Sequence, residues 1–143
     1  MRVYAYRAVL EPGDDPAVTV VSFPDVPEAN TEGVGPADTR SQARDALGLA
    51  LLAYARAGRP LPRPDAVDGE LIDVEPDVAA KLAVVEAFGE SGLSKRDFAR
   101  RLGKDEKEIR RILDPMHATR LTTLTAALAA LGRRLVIGVA AAA

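Results

Sequence analysis

From residue 93 onward, basic side chains crowd a short stretch of chain, and their types suit contact with an anionic polymer. Glu106, Lys107, Arg110 and Arg111 are the outward residues of a short amphipathic segment whose apolar members are Ile109, Ile112 and Leu113. Arg and Lys bond guanine edges in a DNA major groove, and Glu accepts from cytosine. Lys95, Arg96, Arg100, Arg101, Lys104 and Arg120 are then expected on flanking phosphates, setting register and salt dependence. Glu106 and Glu108 repel phosphate. Glu108 as a helix-capping partner faces away from the groove, so only Glu106 needs a base or solvent.

Other chemistry has little to work with. His117 is the sole histidine and there is no cysteine, so His clusters, thiolate catalysis, disulfides and Cys-based zinc sites are out. His117 is expected at a helix end or on a phosphate. Asp25, Glu28 and Glu32 lie close together in a Pro/Gly-rich loop. They resemble the acidic cluster of a metal nuclease, but no fourth ligand stands at a suitable spacing, and acidity for binding a basic protein is the preferred reading. No phosphate-cradling glycine loop and no nucleophile–base pair is visible. No enzyme activity, metal or cofactor is expected.

The elements that must position these residues follow from pattern and punctuation. The 143 residues suffice for one ordinary domain or two small ones. Apolar residues make up 48% against 4% aromatic, which implies a folded chain with an aliphatic core. The net charge of −2 conceals a division. Residues 1–92 carry 8 Lys and Arg against 16 Asp and Glu, whereas residues 93–143 carry 11 against 5. An acidic half joined to a basic half points to nucleic acid for the one and a basic partner for the other.

Residues 2–10 and 17–23 alternate as strands around the turn residues Pro12–Pro16, and 29–33 forms a short third strand. A helix follows, with Thr39 or Ser41 as N-cap and Ala43, Ala46, Leu47, Ala50, Leu51 and Tyr54 as its buried face. Pro60, Pro62 and Pro64 force an extended connection to a strand at 70–74. A domain boundary is placed at about residue 76, giving domains 1–75 and 76–143. The second opens with a helix that buries Val78, Leu82, Val85 and Phe88.

Three short helices then follow. Ser94 with Asp97 is a capping-box variant opening 94–102, which buries Phe98, Ala99 and Leu102 and closes at Gly103. Asp105 with Glu108 repeats the pattern for 105–113, and Pro115 stops it. Thr122 with Thr125 caps the last helix, whose apolar face is Leu121, Leu124, Leu128 and Leu131. Two short helices joined at Gly103-Lys104 form a helix-turn-helix arrangement. After Gly132 the pattern turns to strand chemistry. Leu135, Val136, Ile137 and Val139 are expected to pair with the same strand of a second subunit in a two-fold dimer, the alternative being a partner within the chain. No apolar run is long enough for a membrane helix and no leader peptide is recognisable, so the cytoplasm is the expected location.

The run Ser22-Phe23-Pro24-Asp25-Val26-Pro27, the segment Thr31-Glu32-Gly33 and the Ala-rich helix through Tyr54 carry a resemblance. So do Leu93-Ser94-Lys95, Ala99-Arg100-Arg101-Leu102-Gly103, Arg111 through His117 and Ala127 through Gly132. On these motifs the chain resembles HicB antitoxins of HicAB toxin–antitoxin systems, in the subgroup with a C-terminal helix-turn-helix. The chain departs from the family pattern at Glu28-Ala29-Asn30, where Gly-Cys is usual.

The resemblance implies an α+β fold: a truncated ribonuclease-H-like α/β domain (β-β-β-α-β) without nuclease function, then an all-α helix-turn-helix domain with a C-terminal strand. It implies that the first domain, with Asp25, Glu28 and Glu32 in view, masks a HicA-like mRNA-cleaving toxin and that the second represses its own promoter. A solitary helix-turn-helix regulator without a toxin, and a ribonuclease-H-like nuclease, are the alternatives.

Overall fold

A computed structural model describes residues 1–142. The chain forms two compact units, the first spanning Met1–Ala79 and the second starting at Ala80.

The first unit contains β1 (Ala5–Pro12), β2 (Val18–Ser22), β3 (Asn30–Val34), α1 (Pro36–Arg56) and β4 (Glu70–Asp73). The strands form one sheet in the order β3-β2-β1-β4, every pair antiparallel. Between β1 and β2, Gly13 N–H donates to Val18 O at 2.8 Å, and Ala17 N–H donates to the Asp15 carboxylate at 2.9 Å. The turn residues of that loop thus close a hairpin. Tyr6 pairs with Ile72 and Leu10 with Val21. Tyr6, Ala8, Val21 and Ile72 are buried, as are Ala43, Leu47 and Leu51 of α1, which packs on the sheet.

Helix α1 starts three to five residues before the expected caps at Thr39 or Ser41. Pro36 supplies the preset φ of a first-turn residue, and the Asp38 carboxylate accepts from Val34 N–H at 2.9 Å. Thr39 is turned inward instead, its hydroxyl donating to Gly35 O at 2.7 Å. The inward turn brings α1 against β3. A Cβ on Gly33 would lie 2.5 Å from Thr39 Cα, so no larger residue fits without moving the helix.

The second unit is helical. Most of α2 (Pro76–Ser91) belongs to it, with α3 (Lys95–Leu102), α4 (Glu106–Leu113) and α5 (Leu121–Ala130). Ala80, Val84, Ala87, Phe98, Ala99, Ile109, Ile112, Leu124, Ala127 and Leu128 form one core cluster. The rings of Phe88 and Phe98 stack at 5.3 Å.

Two local expectations are corrected. Of the face expected on α2, Leu82 is fully buried and Phe88 packs against this core, but Val78 and Val85 are only half-buried and Ala80, Val84 and Ala87 supply the core contacts instead. Helix α5 has Arg120, not Thr122, at its N-cap position and no side-chain cap. Thr125 instead donates back to Leu121 O at 2.8 Å. Among the described residues of the single chain, 135–139 form no strand; the pairing expected of them is with a second copy. Leu135 packs against the core, while Val136, Ile137 and Val139 are exposed.

The glycines separate two effects that unfolding measurements distinguish. Gly33→Ala forces a backbone clash and is expected to cost about 1–3 kcal/mol. Gly89→Ala, at an exposed site in α2 where an added Cβ meets nothing within 4 Å, is expected to stabilise by about 0.5–1 kcal/mol. Urea midpoints of the two variants moving in the same direction would refute the close approach at Gly33.

Candidate nucleic-acid interface

Helix α3 starts at Ser94, whose hydroxyl accepts from Asp97 N–H at 3.0 Å. The Asp97 carboxylate pairs with Arg100 at 3.7 Å, so the reciprocal half of the expected box is spent on an i,i+3 ion pair. At the other end Gly103 takes φ 64°, ψ 33°, a left-handed conformation cheap only for glycine. Lys104 N–H then returns to Ala99 O at 3.0 Å and Gly103 N–H to Arg100 O at 3.3 Å, the pairing of a Schellman stop.

Two residues after the glycine, Asp105 and Glu108 form a complete capping box that opens α4. Its bonds are Glu108 N–H to Asp105 at 2.8 Å and Asp105 N–H to the Glu108 carboxylate at 3.3 Å. Glu108 is therefore occupied, as its cap role demanded. The three-residue turn Gly103-Lys104-Asp105 sets α3 against α4, and Ala99 is buried in the common core.

This arrangement leaves Lys95, Arg96, Arg100, Arg101, Glu106, Lys107, Arg110, Arg111 and Arg120 exposed, and Lys104 half-buried. Lys107, Arg110 and Arg111 fall at i, i+3 and i+4 of α4 and so share a face. Glu106 pairs with Arg110 at 3.7 Å, which answers what compensates it in the free protein. Arg101 is partly committed elsewhere, donating to Ala130 O at 3.2 Å.

Lys81 was given no role by the pattern of the sequence. It stands in α2 at only 4% exposure. Its ammonium donates to Ile112 O at 2.8 Å, to Arg111 O at 3.2 Å and to the Thr119 hydroxyl at 2.7 Å. These carbonyls belong to the last turn of α4, where the helix dipole favours a cation. Burial lowers the Lys81 pKa to about 8, opposed by the attraction of Asp114. A single lysine inside the apolar run from Val78 to Val85 is the signal that would have marked it.

The three acidic residues singled out in the first unit do not converge. Asp25 accepts from Ala66 N–H at 2.8 Å, tying down the proline-rich connection. The Glu28 carboxylate accepts from the Tyr54 hydroxyl at 2.7 Å and lies 3.9 Å from Arg59. The Arg59 guanidinium lies 4.2 Å from the Tyr54 ring centroid. The Tyr54 bond lowers the Glu28 pKa and, reciprocally, raises that of Tyr54. Glu32 is exposed on the edge strand β3, opposite Val20. Among the described residues, no group of three or more His, Cys, Asp or Glu is placed to hold a metal ion. No described helix is long and apolar enough to cross a membrane.

No protein-family model matches the chain. Curated relatives do. Antitoxin HicB 1 of Photorhabdus laumondii is 34% identical over 134 residues, covering 94% of this chain and 86% of that protein. Antitoxin HicB of Escherichia coli K12 is 37% identical over 118 residues, covering 81% and 86%. The chain belongs to the HicB antitoxin family. Antitoxin HicB of Pseudomonas fluorescens, 31% identical over 140 residues and 96% of each chain, extends the likeness across both units of this HicB relative. The class of function is accordingly that of an antitoxin in a toxin–antitoxin system.

The buried lysine of this HicB chain gives a pH dependence with a definite sign. Unfolded, Lys81 keeps its proton up to 10.5, its ordinary value, whereas folded it releases the proton near 8. Between these values the unfolded state binds more protons, so the contribution of Lys81 to stability rises as pH increases from about 8 to 10.5, and its desolvation cost is fully present below 8. Denaturant unfolding at pH 7.5 and 9.5 should show the unaltered chain gaining on Lys81→Met, by about 1 kcal/mol per pH unit at most. A stability gap independent of pH would mean that the buried ammonium bears no desolvation cost.

Proposed function

We propose that this HicB chain masks a HicA-like mRNA-cleaving toxin and represses its own operon by sequence-specific DNA binding through α3 and α4. Residues 1–75 serve the toxin and residues 76–143 serve DNA binding and dimerisation, in the cytoplasm. The observation that carries the DNA reading is the turn at Gly103. It sets two capped helices against each other and leaves Lys107, Arg110 and Arg111 exposed together on α4. The excess of cations after residue 92 supports the same reading, because phosphate neutralisation supplies most of the affinity of such proteins.

The acidity of the first unit suits a small basic toxin. Asp25 and Glu28 shape the loop that faces it through their internal bonds, and Glu32 on the edge strand offers an exposed charge. Leu135, Val136, Ile137 and Val139 form the dimer contact by pairing with the same segment of a second copy. That would give an otherwise single strand the partner it lacks within its own chain. A dimer also presents two α4 helices to half-sites one helical turn apart.

Binding to the DNA upstream of its own gene, measured at several salt concentrations with and without any small basic protein encoded beside it, tests the proposal. Tight, salt-sensitive and sequence-selective binding that the neighbour alters is expected. Arg110→Ala or Arg111→Ala should cost about 1–3 kcal/mol on the preferred sequence and relax base preference. Arg100→Ala should weaken all sequences alike and lower the salt slope by about 0.9. Identical effects from all three would sink the assignment of α4 as the recognition helix. No preference over random DNA would sink the repressor role.

A further inference from the structure

The two ends of α4 are secured differently. The N-terminal end is closed by its own capping box, in solvent. The C-terminal end has no left-handed glycine. Its cap residue Asp114 is extended at φ −75°, ψ 112°, and Pro115 follows. The final carbonyls of a helix have no partner within it. Here Arg111 O accepts a long bond from Asp114 N–H at 3.3 Å, and the carbonyls of both Arg111 and Ile112 accept from a cation on another helix.

Lys81 spends all three of its donors on this junction. Two go to α4, and the third goes to Thr119, in the connection that leads to α5. The Thr119 hydroxyl in turn donates to His117 O at 3.4 Å. One buried ammonium therefore ties α2, the end of α4 and the 114–120 connection to a single point. The backbone it holds is that of Arg111, whose side chain is exposed beside Arg110.

We propose that Lys81 is a positioning residue for DNA discrimination: by clamping the last turn of α4, it fixes where the Arg110 and Arg111 guanidinium groups stand against base edges. This rests on the reading of α4 as the recognition helix. The physical ground is that bidentate recognition tolerates little displacement. A second ground is that a well-packed apolar side chain is frequently as stable as a buried charge. A lysine at this point therefore brings directed bonds that Met or Leu cannot make. Lys81 itself, being buried, touches no DNA, so its effect should fall on specificity rather than on phosphate attraction.

The experiment uses the full chain and two readouts: amide hydrogen exchange over residues 110–120, and the ratio of affinities for its own upstream DNA and a random duplex of equal length. Lys81→Met should speed exchange at the end of α4 and in the 114–120 connection while leaving α3 protected. It should lower the affinity ratio roughly tenfold or more, the size of one misplaced bidentate contact, with binding to random DNA little changed. The chain contains no cysteine, so Lys81→Cys treated in the unfolded state with 2-bromoethylamine and refolded restores an ammonium at this position alone. That product should recover both readouts, which repair of bulk packing would not explain.

A folded Lys81→Met chain with an unchanged ratio overturns the proposal. Where Lys81→Met does not fold, Thr119→Val removes one acceptor and keeps the buried charge paired. It should shift both readouts in the same direction by less, and an unchanged ratio again overturns the role. If the unaltered chain shows no preference for upstream DNA, the recognition reading falls and the specificity role falls with it. That failure is separable, because Lys81→Met would still lose exchange protection at residues 110–120.

Discussion

Helices of eight residues do not hold themselves in water, and α3 and α4 are each eight residues long. The angle between them depends on how their four ends are satisfied. Three of those ends are closed locally, by Ser94, by the left-handed Gly103 and by the Asp105–Glu108 box. The fourth is closed partly by Asp114 N–H on Arg111 O and otherwise from a distance by Lys81, which alone reaches both Arg111 O and Ile112 O. Phe98, Ile109 and Ile112, all buried in the common core, supply the cohesion, but burial is not directional. Hydrogen bonds at the ends convert a greasy contact into a fixed angle between α3 and α4.

The first unit shows a different use of polar groups. Its sheet and α1 are brought together by the absence of a side chain at Gly33, and the Thr39 hydroxyl is satisfied within the helix itself. Acidic residues there are not simply a field of charge. Asp25 holds the proline-rich connection at Ala66, and Glu28 ties its loop to Tyr54. Proline-rich segments have few donors of their own, so a carboxylate that reaches one of the remaining N–H groups does much to order them. The acidity that suits a basic partner and the internal ordering of the loop use some of the same side chains.

What the sequence displayed depended on the range of the interaction. The order of four strands and five helices could be read because alternation, helical periodicity and turn residues are local. The capping box of α4 and the stop at Gly103 were legible for the same reason: every group involved lies within five residues. The start of α1 was misplaced because Thr39 offers a hydroxyl that suits a cap, and only its packing against Gly33 turns it inward. Thr122 likewise offers a hydroxyl that suits a cap, but α5 begins directly after Arg120 with no side-chain cap. The acidic trio was grouped by nearness in sequence, whereas Tyr54 and Ala66, 26 and 41 residues away from their partners, separate its members. Lys81 lay outside reach altogether: its acceptors are backbone carbonyls 30 and 31 residues on, and a carbonyl has no signature in sequence.

The C-terminal segment sets the limit of what one chain can satisfy. Leu135 packs on the helical core, and Val136, Ile137 and Val139 then run exposed, at 56%, 62% and 98%. β-branched residues in that number fit a pleated, half-buried surface. A strand, unlike a helix, draws its hydrogen bonds from a neighbour, so such a segment adopts its sequence preference only when a second strand is supplied. Among its described residues the second unit has helices as its only regular elements and no strand to offer. Strand chemistry joined to a helical unit thus fits the proposed dimer, in which each copy would present the proposed recognition helix to one half-site.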